Sequence, residues 1–149
     1  MKAVIQRVTR ASVEVEGRVV GRIDVGLLVL LGMAKGDSEA DVQYIVEKIQ
    51  TLRIFPDAQG KMNRAILDVG GSILLVSQFT LLGDTTKGRR PGFDQAAPPG
   101  EAKVLYERVG AALRARGVSA EMGVFGADMN VELLNNGPVT FILDSAQKS

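Results

Sequence analysis

Four consecutive residues at the end of an apolar segment carry side chains that could take part in chemistry. Residues 72–82 are rich in Ile, Leu, Val, Phe and Thr, a composition that predicts a buried strand. Within it stand Ser77, Gln78, Phe79 and Thr80, which supply two hydroxyls and an amide. On an extended strand Ser77 and Phe79 share one face, while Gln78 and Thr80 share the other. We therefore expect a reacting or binding edge here; the alternative is a structural role for Gln78 and Thr80.

A second candidate is the tripeptide Asn136-Gly137-Pro138, which lies between predicted strands at residues 130–134 and 139–143. Gly-Pro preceded by Asn is a turn signal. Proline fixes its own φ and lacks an N–H donor, so such a turn presents its carbonyl groups rigidly. The two interpretations are a turn that faces a ligand and an ordinary hairpin turn.

Two basic features are further candidates. Arg7 stands within an alternating segment, and arginine is seldom buried without a partner. It therefore either extends into solvent or holds a carboxylate or carbonyl group in place. Residues 88–93, with the sequence GRRPGF, form a basic loop with one aromatic ring. This loop could contact phosphates or stack on a base, and a plain surface loop is the alternative.

The composition restricts the chemistry more than any single motif does. The 149 residues include no His, no Cys and no Trp, and 18 basic against 17 acidic residues give a net charge of +1. Imidazole bases, Ser/His/Asp triads, thiolate nucleophiles and His- or Cys-ligated metals are excluded. There is no phosphate loop of the Walker type and no dinucleotide fingerprint. Any catalysis must use hydroxyls, carboxylates, amines, backbone dipoles or the substrate itself, and we expect neither a cofactor nor a metal.

Hydrophobic spacing predicts the elements that position these residues. Apolar residues recur every three or four positions after a cap at Asp37 or Ser38, and again from Ala102 to Leu113 before Gly117, which indicates two amphipathic helices. Strands are predicted at residues 3–15, 18–25, 27–33, 72–82, 118–122, 130–134 and 139–143. The predicted fold is a single α+β domain over residues 1–145 with a largely antiparallel or mixed, barrel-like sheet. Residues 146–149 are predicted to be a short C-terminal tail.

No apolar run approaches the roughly 18 residues of a membrane helix, and charged residues interrupt the N-terminal segment. We therefore expect a cytoplasmic protein without a membrane partner.

The motifs stand in an order that resembles the D-aminoacyl-tRNA deacylases of the bacterial and eukaryotic type, the D-tyrosyl-tRNA deacylase family. The resemblance spans residues 1–145. It is carried by the segments MKAVIQRVTRASV (1–13), GLLVLLG (26–32), RIF (53–55) with KMN (61–63), SQFTL (77–81), DMNV (128–131) and NGPVT (136–140).

The resemblance implies a homodimer that cleaves the ester between a D-amino acid and the terminal adenosine of tRNA, and that also acts on glycyl-tRNA. Each active site would join the catalytic segment Ser77–Thr80 of one subunit to the Gly137-Pro138 turn of the other. In the family this Gly-Pro bond is cis and its carbonyls face the amino acid, so an L side chain is excluded by collision. Arg7 belongs to the same substrate-binding set, and Phe79, Phe125 and Met129 would form walls for the adenosine.

Two mechanisms remain open at this point. Thr80 could be a direct nucleophile, but no His or Cys is available to activate it. The family picture offers assistance by the 2′-hydroxyl of the terminal adenosine, with backbone N–H groups near Phe79 and Thr80 holding the oxyanion. A non-catalytic dimer that binds tRNA or a nucleotide and a Thr-dependent hydrolase of small esters are the alternative functions.

Overall fold

The long first strand organises the sheet. The computed structural model describes residues 1–147. Its elements in chain order are β1 (Lys2–Val15), β2 (Arg18–Ile23), β3 (Gly26–Gly32), α1 (Glu39–Thr51), β4 (Phe55–Pro56), β5 (Met62–Arg64), β6 (Ser72–Ser77), a 3-10 turn (Phe79–Leu82), α2 (Pro99–Ala115), β7 (Ser119–Met122), β8 (Asn130–Asp144) and a second 3-10 turn (Ser145–Gln147).

Six strands form one mixed sheet. Its order is β2-β1-β3-β6-β7, and β8 also pairs with β1. The β3–β6 and β6–β7 pairs are parallel, whereas β1 is antiparallel to β2, β3 and β8. β2 also comes close to the far edge of the sheet, because a Cβ on Gly21 would lie 3.2 Å from the carbonyl oxygen of Met122 on β7. The sheet is thus nearly closed into a barrel, which confirms the predicted α+β class. β4 and β5 form a separate two-stranded hairpin.

Apolar residues fill both sides of this sheet. Between sheet and helices, α1 contributes Val42, Ile45, Val46 and Ile49, which are all buried. α2 contributes Tyr106, Val109 and Leu113 to the same core. Inside the barrel a second core contains Val8, Ala11, Val13, Ile23, Leu28, Leu74 and Val76. β3 and β6 lie between the two cores, which is why their sequences are continuous apolar runs rather than alternating ones.

Both predicted helices are confirmed, and their ends have local causes. Ser38 is the N-cap of α1, and its N–H donates to the Asp41 carboxylate at 2.8 Å. α2 begins at Pro99, where a missing N–H costs nothing because the first turn has no intrahelical acceptor to offer it. Gly117 follows α2 with φ +82°, a conformation that glycine adopts without steric cost.

The prediction of one strand over residues 72–82 is wrong in its second half. β6 ends at Ser77, and the chain then turns into the 3-10 turn Phe79–Leu82. The neighbouring strand β3 ends at Gly32, so the ladder has no partner to continue on. The turn buries Leu82 instead. Ser77 and Phe79 therefore do not share a strand face, and neither do Gln78 and Thr80.

The prediction of a hairpin turn at Asn136-Gly137-Pro138 is also wrong. The two predicted strands are halves of the single strand β8, and both pair antiparallel with β1. Gln6 pairs with Thr140 and Val8 pairs with Asn135, so residues 136–139 bulge out opposite the single residue Arg7. A hairpin would require the chain to reverse, and here it continues along the same neighbour.

No helix in residues 1–147 is long and apolar enough to cross a membrane. Of the predicted tail, residues 146 and 147 belong to the second 3-10 turn, while Lys148 and Ser149 lie outside the described residues.

Candidate functional site

A cavity of about 750 Å³ opens where β6 ends. This size lies within the usual range of small-ligand sites. Five of the predicted site residues line it: Ser77, Gln78, Phe79, Phe125 and Met129. The structure therefore brings together residues that are up to 52 positions apart in the sequence, counting from Ser77 to Met129.

The end of β6 is fixed by its contact with β3. The Gln78 N–H donates to the Leu31 carbonyl at 2.8 Å, which extends the ladder one residue beyond the strand. Gly32 makes the following turn possible, because a Cβ there would lie 2.6 Å from Leu82 Cδ2 and 2.9 Å from the Gln78 carbonyl oxygen. Only a glycine allows the 3-10 turn to pack this closely on β3.

Thr80 does not line the cavity in the single chain. Its side chain is exposed, and the Gln78 side-chain amide donates to its hydroxyl. The amide N–H groups of Phe79 and Thr80, which open the 3-10 turn, donate to no acceptor within residues 1–147. The segment Ser77–Thr80 thus offers one hydroxyl in the cavity, a second beside it and two available backbone donors.

Three aromatic rings, those of Phe79, Phe93 and Phe125, line the cavity. Phe79 is 57% exposed and packs edge-on against Phe93, with ring centroids 5.0 Å apart. Phe125 packs against Tyr106, with ring centroids 5.8 Å apart. The Tyr106 hydroxyl donates to the Leu75 carbonyl of β6 at 2.7 Å, and burial raises the pKa of Tyr106 to about 12. Tyr106 is consequently neutral, and its hydrogen bond connects α2 to β6, the strand that ends at the cavity.

One further wall comes from the loop after β3. The Met33 carbonyl accepts from Ala97 N–H at 3.0 Å, and the Lys35 N–H donates to the Gln95 carbonyl at 2.9 Å. Asp37 holds this loop, since its carboxylate accepts from the Ala34 N–H at 2.7 Å and from the buried Met1 amino group at 2.9 Å.

The predicted residues Arg7, Gly137 and Pro138 lie elsewhere. The Arg7 Nε donates to the carbonyl and side-chain oxygens of Asn136 at 3.2 and 3.0 Å, and its Nη1 donates to the Ile54 carbonyl at 2.8 Å. Asn135 Nδ2 bridges the Arg7 and Val139 carbonyls at 3.0 and 3.1 Å. Arg7 therefore holds carbonyl groups, one of the two interpretations made from the sequence.

These contacts fix the shape of an exposed bulge. The Gly137-Pro138 peptide bond is cis, and both residues are exposed. Gly137 has φ +138°, and a Cβ there would lie 2.6 Å from Val139 Cγ2, so no other residue fits this backbone. The bulge belongs to the same strand as Val131 of the cavity wall, but Gly137 lies six positions after Val131, roughly 20 Å along a regular strand.

Several cavity residues were not predicted as site residues. Lys35, Asp94, Asp128 and Pro98 are examples; Phe93 was noted only as the aromatic of the basic loop. Charged and proline residues on exposed loops carry no periodic pattern, so only the Phe93 ring gave a usable signal. Within residues 1–147 no group of three or more Asp and Glu side chains is placed to hold a metal ion.

Two solved structures share this architecture over almost the whole chain. The "c-Myc DNA Unwinding Element Binding Protein" superposes with a TM-score of 0.91 at 42% identity, covering 97% of this chain and 98% of its own. A "probable eukaryotic D-amino acid tRNA deacylase" superposes with a TM-score of 0.82 at 18% identity, covering 95% and 97%. The shared fold is that of a class of small α+β barrel proteins.

Sequence relationships narrow the class. The family profile described as D-Tyr-tRNA(Tyr) deacylase matches residues 4–144. The D-aminoacyl-tRNA deacylase of Thermus aquaticus is 60% identical over 99% of this chain and 97% of its own length. That of Bacillus velezensis is 56% identical over 99% and 100%. The chain belongs to the D-Tyr-tRNA(Tyr) deacylase family, which confirms the resemblance and the expectation of a hydrolytic enzyme.

Proposed function

We propose that this chain hydrolyses the ester bond of D-aminoacyl-tRNA and releases the free D-amino acid and tRNA. Glycyl-tRNA formed on a non-cognate tRNA is included, because glycine has no side chain to be rejected. The observation that carries the proposal is the cavity of about 750 Å³, which Ser77, Gln78 and Phe79 line. Family membership supports the tRNA ester as substrate. A cytoplasmic location, where charged tRNA is used, is part of the proposal.

The chirality of the substrate would be tested by a second copy of the chain. The bulge around Gly137 and Pro138 is exposed and held by Arg7, yet it lines no part of its own chain's cavity. Exposed apolar residues flank it on β8: Leu134 is 50%, Phe141 39% and Ile142 75% exposed. Such a surface suits burial between subunits. In a homodimer the bulge of one subunit would close the partner's cavity, and its fixed carbonyls would exclude an L side chain.

The proposed chemistry uses the substrate's own hydroxyl. Thr80 has no imidazole or thiolate near it, because the chain has no His and no Cys. The 2′-hydroxyl of the terminal adenosine would assist attack of water on the ester carbonyl, and the 3′-oxygen of the same adenosine would leave and take up a proton, which gives the free D-amino acid and tRNA. The Phe79 and Thr80 N–H groups would bind the developing oxyanion, an interaction worth about 3–4 kcal/mol per donor in other enzymes.

Two substrates and one variant test this mechanism. Thr80→Ala should keep kcat/KM on D-aminoacyl-tRNA within about fivefold, since the hydroxyl only positions the substrate. A D-aminoacyl-tRNA ending in 2′-deoxyadenosine should react about 100-fold more slowly, as expected when a positioned proton-transfer group is removed. Equal rates on the two substrates, or abolished activity in Thr80→Ala, would contradict substrate assistance.

The same assay separates the alternative functions. Binding of D-aminoacyl-tRNA without turnover would identify a non-catalytic tRNA- or nucleotide-binding dimer. Hydrolysis of small esters that is lost in Thr80→Ala, with tRNA esters untouched, would identify a Thr-dependent esterase. The proposal requires turnover of D-aminoacyl-tRNA and none of L-aminoacyl-tRNA under the same conditions.

A further inference from the structure

A short arm projects beside the mouth of the cavity. Asp84 and Gly92 pair antiparallel through backbone hydrogen bonds of 2.7 and 2.9 Å, and we call residues 84–92 the basic hairpin. The Asp84 carboxylate accepts from the Thr86 N–H at 2.9 Å and hydroxyl at 2.7 Å, contacts that lower the pKa of Asp84. Gly88 at the tip has φ +67°. The base of the hairpin therefore has a defined conformation, which its own hydrogen bonds fix.

Three cations of the hairpin have no internal partner. Lys87, Arg89 and Arg90 are exposed and make no hydrogen bond or ion pair within the described residues. Arg108, by contrast, pairs with Glu39, and Arg114 and Arg116 donate to oxygens of the fold. Exposed cations without a partner also occur singly elsewhere in the described residues, as at Arg18, but in the hairpin three of them fall within four consecutive positions. The one carboxylate of the hairpin, Asp84, is already bonded to Thr86. In a chain of net charge +1, this is a local concentration of available positive charge.

The hairpin is attached directly to the cavity. Its N-terminal side leaves the 3-10 turn Phe79–Leu82 through Gly83, whose Cβ position lies 3.2 Å from the Phe93 ring. On its C-terminal side the hairpin is followed directly by Phe93, which lines the cavity and packs on Phe79. The tip residue Gly88 is four positions from Asp84 and four from Gly92, so the cations lie within roughly 15 Å of the mouth. Because phosphates follow one another about every 3.4 Å along one strand of a duplex, that distance reaches phosphates within a few nucleotides of a 3′-terminal ester.

We propose that the basic hairpin binds backbone phosphates in the acceptor end of the tRNA whose ester occupies the cavity. The inference rests on the proposed function and adds to it the surface that meets the polynucleotide. Unpaired Lys and Arg side chains bind phosphate without reading sequence, so the contact suits an enzyme that must accept many tRNAs. Asp94 and Asp128 line the cavity itself, and their carboxylates repel phosphate groups. The phosphates are therefore held at the hairpin and not beside the ester.

A triple variant tests the hairpin, Lys87→Gln with Arg89→Gln and Arg90→Gln. For D-aminoacyl-tRNA we expect KM to rise at least tenfold near 50 mM salt while kcat stays unchanged. The slope of log(1/KM) against log[salt] should become shallower by about 2–3, because each phosphate contact contributes about 0.7–0.9. Hydrolysis of a D-aminoacyl-adenosine, which has no phosphate, should match the wild type. The matched control is Arg18→Gln with Arg22→Gln and Lys61→Gln, the same charge change away from the cavity.

The outcomes separate this inference from the proposed function. An unchanged salt slope, or an equal loss in the control variant, would overturn the hairpin as the phosphate contact. Equal loss on the D-aminoacyl-adenosine would show that the hairpin only supports the cavity, and would overturn it as well. Binding of uncharged tRNA, measured by filter retention, tests the same phosphate contact without any turnover. A wild-type protein that is inactive on all esters would therefore count against the proposed function alone, because the hairpin would still be tested by this binding.

Discussion

The cavity and the cis Gly137-Pro138 bulge are built in opposite ways. The cavity is concave, largely apolar and assembled from four separate segments of the chain, at residues 33–35, 76–79, 93–102 and 125–131. The bulge is exposed at Asn136, Gly137 and Pro138, and it is fixed by Arg7 of β1 and by Asn135 of its own strand β8. The cavity has room for a ligand, whereas the bulge has a backbone held by hydrogen bonds but lines no part of this cavity within the described residues. Each region has what the other lacks, which is what a site shared between two copies requires.

The difference also explains how the fold uses its sheet. The cavity forms where a parallel ladder ends and the chain must leave the sheet, a frequent place for ligand sites. The bulge forms in mid-strand, where four residues of β8 oppose one residue of β1 and bend the strand outward. The end of a strand thus leaves space for a deep cavity, whereas a bulge in the middle of a strand makes a rigid segment of backbone project from the sheet.

Gly137→Ala should have the largest effect on this comparison. The added Cβ would lie 2.6 Å from Val139 Cγ2 at a φ of +138°, so the bulge must move. Displacement of a positioning element by about 1 Å can cost about 100-fold, and we expect that loss in kcat/KM for D-aminoacyl-tRNA. The measurement is steady-state deacylation. Gly100→Ala is the matched control, because no atom lies within 4 Å of its Cβ position. Full activity in Gly137→Ala would mean that the bulge takes no part in the site.

Arg7→Ala should have a smaller effect of the same kind. It removes three hydrogen bonds to the Asn136 and Ile54 oxygens but leaves the glycine and proline in place. We expect about tenfold lower kcat/KM and a free energy of unfolding reduced by about 1.5–3 kcal/mol, the value of hydrogen bonds to a charged group. Arg7→Lys should not restore activity, since an ammonium cannot reproduce the planar fork. Denaturant unfolding and deacylation together check this, and unaffected activity with reduced stability would assign Arg7 a purely structural role.

Tyr106→Phe should leave activity nearly unchanged and alter the pH dependence of stability. Folding raises the pKa of Tyr106 from an ordinary 10.0 to about 12, so the folded protein keeps its proton where the unfolded chain has lost it. The free energy of unfolding of the wild type should therefore fall as pH rises from about 10 to about 12. In Tyr106→Phe this fall should be smaller, as measured by urea unfolding across that range. Tyr44→Phe, at the other tyrosine, is the control, and an identical pH profile in Tyr106→Phe and the wild type would refute the assignment.

Local pattern was sufficient for some parts of the molecule and not for others. Both helices were predicted with their caps, because the spacing of Val42, Ile45 and Ile49 and the chemistry of Ser38 and Gly117 act within a few residues. The segment Ser77–Thr80 was predicted as a site because hydroxyls at a strand end are not needed for packing. Its shape was predicted incorrectly, because the end of β6 depends on where β3 stops.

The bulge shows the same limit more strongly. Asn136-Gly137-Pro138 reads as a turn, and only pairing of both flanking segments with β1 shows that the chain does not reverse. The contact between Arg7 and Asn136 joins residues 129 positions apart, so no local signal could predict it. Homodimer formation stays a prediction for the same reason, since a subunit interface leaves no periodic pattern beyond exposed apolar residues.

Subunit complementation tests the central claim most directly. Pro138→Ala damages the bulge, and Gln78→Ala damages the cavity. In a shared site, a heterodimer of the two variants has one intact site and one with both lesions. Random mixing through an unfolded state should therefore restore about a quarter of the wild-type sites, because half the dimers are mixed and half of their sites are intact. Deacylation of D-aminoacyl-tRNA that rises to about that level supports a cavity closed by the partner subunit. A mixture no more active than the two separate variants contradicts it.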